Sequence, residues 1–571
     1  MTSVSGQGSE RGVRVSKPQD ESPTGEQEVR GEDGRAEAAA QSASQASAQG
    51  ETRSGDSLPV RGGLLRSGLI VSVMTMLSRV LGLARDVTIA SLLGAGSGAD
   101  AFFVAFKIPN FMRRLFAEGA FNQAFIPVLS EYATRRTREE VRELLDAVSG
   151  SLGIVLALIT AVAMLCAPWL VWVFAPGFGD DAGKLALTGD MLRLTFPYLL
   201  LISLTAFAGS VLNTWNRFAV PAITPVLLNL SLIGAALLLA PRFETPAMAL
   251  AWGVLIAGGV QLLFQVPFLL RLGLMPKPWP NFAHEGVRRI LKLMTPALFG
   301  VSVSQINLLL DTVLASFLVT GSVSWLYYSD RLVELPLGII GIAIGTVILP
   351  ALSKRHAEQS LEHFQKMLDW ALRSVLLIGV PAALALGVLA EPLLITLFHY
   401  GAMTDNDVVM SAQSLRAYSF GLLAFMLIKV LAPGFYARQD TKTPVKIGII
   451  AMVANMAFNL ALIVPLAHAG LALATALSAF LNAGLLARGL YRDGVLRFQP
   501  GWGRYSLTLI GGCALMGGGL MWLSPDWTTW LGWGLWERCA MMGALVVGGV
   551  LAYAVWLGLC GVRPRHFRMQ S

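Results

Sequence analysis

Apolar residues fill this chain in long unbroken runs. Residues 152–173, 222–240, 372–390 and 447–465 are examples. Each is long enough to cross a bilayer as a helix, which takes about 18 residues or more. A membrane β-barrel would alternate apolar and polar positions instead. The runs predict helices at about 64–93, 98–128, 145–175, 186–212, 218–240, 246–271, 286–318, 322–352, 366–396, 409–436, 442–465, 469–490, 504–524 and 535–561. The expected fold is therefore an all-α polytopic membrane protein of about 14 transmembrane helices.

Residues 1–60 break the pattern. They are Gly, Ser, Gln, Glu, Arg and Ala with almost no large apolar side chains. Such a segment cannot bury enough surface to offset chain entropy, and a disordered polar tail is expected. No apolar stretch follows Met1 in the manner of a cleaved signal. The first membrane helix is expected to act as its own signal.

Composition agrees with a membrane solvent. The chain is 54% hydrophobic and 14% charged, with a mean hydropathy of +0.60, against roughly 25% charged residues in soluble domains. The charges divide between alternate loops. One set holds Arg135, Arg136, Arg138, Arg142, Arg217, Lys277, Arg288, Arg289, Lys292, Lys354, Arg355, Lys366, Arg438, Lys442, Arg492 and Arg497, and the C-terminal Arg563, Arg565 and Arg568. The other set, near 94–98, 176–188, 241–246, 319–322, 399–408, 466–468 and 525–534, has little beyond Lys184 and Arg242. The positive-inside rule assigns the first set and both termini to the cytoplasm. The net charge of +8 reflects this anchoring and calls for no nucleic acid. Cys166, Cys513, Cys539 and Cys560 lie in or beside apolar segments without metal-ligand spacing, so packing roles are expected for them.

A repeat is visible at one offset. Pro127 in "AFIPVLSEY" and Pro350 in "VILPALSKR" stand 223 positions apart. So do Pro221 and Pro444, and the starts of "ALAWG" at Ala249 and "ALATA" at Ala472. Two six-helix lobes follow, related as parallel repeats because six is even. Such repeats commonly enclose a transport site. The expected divisions are the tail 1–60, lobes at 61–272 and 273–495, and a helix pair in 496–571.

Charges also sit where lipid should be. Arg79, Arg85 and Asp86 lie in the first helix. Asp100, Lys107, Arg113, Arg114 and Glu118 lie in the second, Asp330, Arg331 and Glu334 in the eighth, and Lys429 in the tenth. A central arginine or lysine costs about 2.5–3.5 kcal/mol on insertion scales, and intramembrane charges usually face a cavity or a partner. Pairing along a helix or snorkelling from its end accounts for single residues, such as Arg113 or Arg114 with Glu118. It does not account for the excess of cations over anions in the set. Cations facing a shared cavity suit an anionic cargo, and arginine forks suit phosphate.

Several long motifs carry a resemblance. "MTMLSRVLGLARD", "GADAFFVAFKIPNFMRRLFAEGAFNQAFIPVLSEY", "VLNTWNRFAVPA", "GVSVSQI", "GSVSWLYYSDRLVELPLG" and "KVLAPGFYARQDTKTPVKI" closely resemble the MurJ (MviN) family. These are bacterial lipid II flippases of the multidrug/oligosaccharidyl-lipid/polysaccharide exporter superfamily. The resemblance covers about 64–565 and leaves the tail outside. It implies fourteen helices in two lobes and a cationic cavity. It also implies movement of undecaprenyl-diphosphate-linked disaccharide-pentapeptide across the inner membrane by alternating access, with the last two helices as a groove for the polyprenyl tail. A monomer with no enzymatic step is implied. The family's essential arginines match Arg79, Arg85, Arg113 and Arg331, and its acidic positions match Asp86, Asp100 and Glu118. Asn110 and Lys429 also fall on family positions, and Arg114 adjoins Arg113. Entry of the headgroup is implied between the first and eighth helices.

Some family members bind sodium with oxygens placed like those of Asp311, Asn455, Asn459 and Thr475. Asn455 and Asn459 stand at i, i+4. The alternative for these four is interhelical hydrogen bonding, with asparagine as polar glue. No other cofactor is expected. Two rival functions stay open. A cation-coupled exporter of drugs or other lipid-linked oligosaccharides would need acidic and aromatic cavity residues in the drug case. A membrane glycosyltransferase would need acidic metal ligands, and Asp180–Asp181 has no partner His or Glu nearby in sequence. No phosphate-binding glycine loop is present for ATP.

Overall fold

The computed structural model describes residues 60–343, 348, 352 and 360–562. The chain forms two units, Met1–Leu65 and Arg66–Ser571. Within the first, the described residues are the opening turns of a helix. The expected disordered tail lies outside the described residues.

Every regular element among the described residues is helical. In chain order the α-helices, with the π-helical segment that follows α2, are α1 (Val60–Leu93), α2 (Ser97–Arg113), the π segment (Arg114–Phe121), α3 (Asn122–Arg135), α4 (Arg138–Leu165) and α5 (Ala167–Phe174). Then come α6 (Ala182–Thr195), α7 (Pro197–Thr214), α8 (Ala219–Gly234), α9 (Pro246–Leu272), α10 (Glu285–Ser316) and α11 (Ser322–Ala343). The remainder are α12 (Leu361–Val388), α13 (Ala390–Phe398), α14 (Asp405–Tyr436), α15 (Lys442–Arg492), α16 (Trp502–Leu523), α17 (Trp527–Gly532) and α18 (Leu535–Leu559). Nine helical stretches among the described residues are long and apolar enough to cross a membrane. The chain is a multi-pass α-helical membrane protein.

Local chemistry sets the ends. Thr137 caps α4, accepting from the Glu140 amide while Glu140 reaches back to the Thr137 amide. Thr404 and Asp407 do the same for α14. Each box satisfies donors a helix start would otherwise expose. α15 has 51 residues, about 77 Å at helical rise, against a hydrocarbon core of about 30 Å. Ala467 breaks it with φ 48° and ψ −128°, which divides the element where the sequence predicts two helices. Pro109 and Pro336 lie inside α2 and α11.

The 223-residue offset reappears in the helix boundaries. Arg138 and Leu361 begin α4 and α12, Ala167 and Ala390 begin α5 and α13, Ala182 and Asp405 begin α6 and α14, and Ala219 and Lys442 begin α8 and α15. Leu93 and Ser316 end α1 and α10 at the same spacing. Pro350 itself lies outside the described residues.

Exposed indoles stand near both sets of loops. Trp169, Trp172, Trp522 and Trp536 are 57–84% exposed beside charge-poor loops, and Trp279 is 76% exposed in a charge-rich one. Tryptophan favours membrane interfaces because its ring is apolar and its N–H is polar. Of the cysteines, only Cys513 is buried. The packing role expected for all four fails for Cys166 and Cys539, which are exposed at helix ends.

Candidate functional site

A cavity of about 370 Å³ opens between α2 and the π segment on one side and α10, α11, α14 and α15 on the other. α2 supplies Phe103, Phe106, Lys107 and Asn110, and the π segment supplies Arg114. Asp311 comes from α10, Tyr327, Asp330, Arg331 and Glu334 from α11, Tyr418 from α14, and Thr475 from α15. The π segment matters for register. A wider turn after Arg113 departs from α-helical spacing, and such turns recur at functional sites. Plain helical periodicity does not foresee it.

The charge of this cavity differs from expectation. Lys107, Arg114 and Arg331 meet Asp311, Asp330 and Glu334, so the lining is balanced rather than cationic. The other arginines are engaged elsewhere. Arg85 donates to Asp86 Oδ1 from Nε at 2.9 Å and Nη2 at 2.6 Å, to Asn229 Oδ1 at 3.1 Å, and to the Tyr327 hydroxyl at 3.1 Å. Arg331 Nε lies 3.4 Å from Asp86 Oδ2, and its Nη1 donates to Glu334 at 2.6 Å. Arg85, Asp86 and Arg331 thus form one network across α1 and α11. Arg79 packs its guanidinium against Gly338 of α11, leaving no room for a side chain there. Arg113 Nε donates to Asn110 Oδ1 at 3.1 Å. Lys429 is exposed and not part of the lining. The Glu118 side chain lies outside the described residues.

Asp100 joins a different cluster. It is 1% exposed and accepts from Lys184 Nζ at 2.8 Å, Gly321 N at 2.8 Å, Ser324 N at 3.0 Å and Ser324 Oγ at 2.6 Å. The amides belong to the start of α11, where a helix presents free N–H groups and a partial positive charge. Tyr328 donates to the Gly94 carbonyl at 2.7 Å, and the Ala402 amide donates to the Ser91 carbonyl at 2.8 Å. These contacts close the end of the bundle that carries the charge-poor loops. Lys184 is the residue that sequence reasoning missed. Its signal was its isolation as the one lysine in those loops.

Asp311 also gathers the polar groups expected around it. Asn459 Nδ2 donates to its Oδ1 at 2.9 Å, Thr475 Oγ1 to its Oδ2 at 3.3 Å, and Asn455 Nδ2 makes a long contact at 3.5 Å. Both asparagines are fully buried, and Asn459 Oδ1 meets no donor among the described residues. Turning that amide would bring its carbonyl oxygen to the carboxylate, an arrangement that a cation between them would stabilise. The donor set therefore fits a small hard cation. Sequence reasoning treated this quartet apart from the cargo pocket, but Asp311 and Thr475 line the same cavity.

An all-helical membrane bundle with a charged cavity between repeated helix sets defines a transporter class. The comparisons narrow it. A sequence profile described as "Lipid II flippase MurJ" matches residues 89–537. A Vibrio cholerae protein named "Probable lipid II flippase MurJ" is 50% identical over 514 residues, covering 88% of this chain and 98% of that relative. A "Lipid II flippase MurJ" of Burkholderia cenocepacia is 42% identical over 514 residues, covering 89% and 99%. A solved structure titled "Lipid II flippase MurJ, inward closed conformation" superposes with a TM-score of 0.72 at 25% identity, covering 86% of this chain and 98% of that one. The chain belongs to the MurJ family.

Proposed function

We propose that this chain is a lipid II flippase. It moves the undecaprenyl-diphosphate-linked muropeptide from the cytoplasmic to the periplasmic leaflet of the bacterial inner membrane. The observation that carries the reading is the cavity in which Lys107, Arg114 and Arg331 face a common space between α2 and α11. Guanidinium forks at membrane depth suit a diphosphate. Glu334 holds Arg331 at 2.6 Å, and the diphosphate competes with such anions for the cations of the lining. Closure at the charge-poor end by Asp100 and its partners is one state of an alternating-access cycle.

The proposal includes fourteen spans. Nine helical stretches qualify directly. The second arm of the kinked α15 adds one, and α1, α2 with its continuation, α10 and α11 add four that carry charges within their apolar runs. They form lobes over 61–272 and 273–495 with a tail-binding pair in 496–571. The excess of Lys and Arg in alternate loops supports a cytoplasmic side for both termini. The chain works as a monomer, with no catalytic step and no nucleic acid. The Asp311, Asn455, Asn459 and Thr475 cluster is proposed to hold sodium, whose charge would balance Asp311.

A leaflet-resolved assay of labelled lipid II tests the reading. Depleting the protein should trap the lipid in the cytoplasmic leaflet, and restoring it should release the block. Unchanged transfer in depleted membranes would overturn the proposal.

A further inference from the structure

The Tyr327 hydroxyl sits where three charged side chains converge. It donates to Asp86 Oδ1 at 2.9 Å. It accepts from Arg85 Nη2 at 3.1 Å and from Arg331 Nη2 at 3.2 Å. A phenolic oxygen has one proton to give and two lone pairs, so these three bonds use its full capacity. The ring is also held. It stacks on Phe103 of α2 with centroids 3.9 Å apart and planes at 22°, and the Arg331 guanidinium lies 4.9 Å from its centroid. Tyr327 thus joins α11 to both α1 and α2. Of this group, Tyr327, Phe103 and Arg331 line the cavity, while Arg85 and Asp86 lie behind it.

We propose that Tyr327 is the positioning residue through which occupancy of the cavity loosens the joint between the two helix sets. The inference rests on the flippase reading above. Arg331 has two sets of partners. One is Glu334, on its own helix and in the cavity lining. The other is Asp86 and Tyr327 at the joint. A diphosphate entering the cavity offers a bidentate anion that competes for the Arg331 guanidinium. As Arg331 turns to it, the joint loses the Arg331–Asp86 pair and one of the three bonds to the Tyr327 hydroxyl. The cargo then has higher affinity for the state in which the joint is open, which is what a ligand needs in order to shift a conformational equilibrium. The rigid ring keeps Arg331 within reach of both partners. Without the hydroxyl, Arg331 binds cargo, but the joint registers the event only through the longer Arg331–Asp86 pair at 3.4 Å.

Tyr327→Phe tests this, because it keeps the stack on Phe103 and removes only the hydroxyl. The experiment uses full-length protein in vesicles, in a cysteine-free background that retains transfer. Ala95→Cys in that background reports opening. Ala95 is buried, and its carbonyl adjoins Gly321 at the closed end. In the parent, lipid II should raise the rate at which an impermeant maleimide labels this cysteine. In Tyr327→Phe the rise should shrink to a small fraction of the parent's and transfer should fall about tenfold or more, the scale of one hydrogen bond to a charged group. Unaltered transfer in Tyr327→Phe overturns the role of Tyr327. So does lost transfer with a normal labelling response. If the parent moves no lipid II, the flippase reading fails and this inference goes with it.

Discussion

Lys184 Nζ lies 2.8 Å from Asp100 Oδ2, with the two side chains 5% and 1% exposed. The partners are unequal. Asp100 keeps three other donors, from Gly321 and Ser324, whereas the Lys184 ammonium has only Thr320 Oγ1 at 3.5 Å and the Phe178 ring besides Asp100 among its described contacts. Asp100→Asn, which strands a buried ammonium, should cost about 3–5 kcal/mol and should destabilise more than Lys184→Met. The double variant should recover part of that loss. Thermal unfolding in detergent reads all three. Equal single losses that simply add would remove the pair from the account.

The cavity cations separate from surface ones by their effect on transport. Arg331→Ala and Arg114→Ala should abolish lipid II transfer at normal membrane levels. Arg135→Ala should be silent, since Arg135 is exposed at the end of α3. Complementation of a depleted strain, with immunoblotting for protein amount, makes the comparison. Full growth with Arg331→Ala would sink the anion pocket.

Sodium should raise the melting temperature of the wild type more than potassium does, and Asp311→Asn should abolish the difference. Asp311 carries the single charge that a monovalent cation balances, and Asn459 and Thr475 lie within 3.3 Å of it. If the two salts act alike, the cluster is interhelical hydrogen bonding and nothing more.

Two glycines with similar backbones should respond differently to alanine. Gly401 (φ +60°) and Gly494 (φ +70°) both occupy the left-handed region, which costs an alanine about 1 kcal/mol. A methyl at Gly401 would also strike the Ser91 carbonyl at the closed end, while Gly494 has nothing within 4 Å. Gly401→Ala should lower thermal stability clearly more than Gly494→Ala, and it should raise labelling of Ala95→Cys. Matching melting curves would mean that the Ser91–Gly401 approach yields without cost.

Removing residues 2–58 should leave lipid II transfer intact, since a segment so poor in large apolar residues has little to pack against a membrane bundle. A truncated protein that inserts at normal levels and fails to transfer would assign the segment a role in transport.

The sequence by itself determined what depends on near neighbours. Membrane spans are legible because twenty consecutive residues decide them, and loop charges and the 223-residue offset are read along the chain. The pairing of Asn455 with Asn459 on one face follows from helical spacing alone. Tertiary structure decided everything that depends on distant helices meeting. Lys184 reaches Asp100 across 84 positions, and Asp311 meets Asn459 across 148. Counting cations along the sequence suggested an anion pocket with excess positive charge. Folding instead set Arg85 behind Tyr327 and placed Asp311, Asp330 and Glu334 in the same lining as the cations that do reach the cavity. Charge is additive along a sequence, but the field in a cavity depends on which charges share it. In a membrane that sharing is set by how helices pack, because a buried charge without a partner is too costly to leave in place.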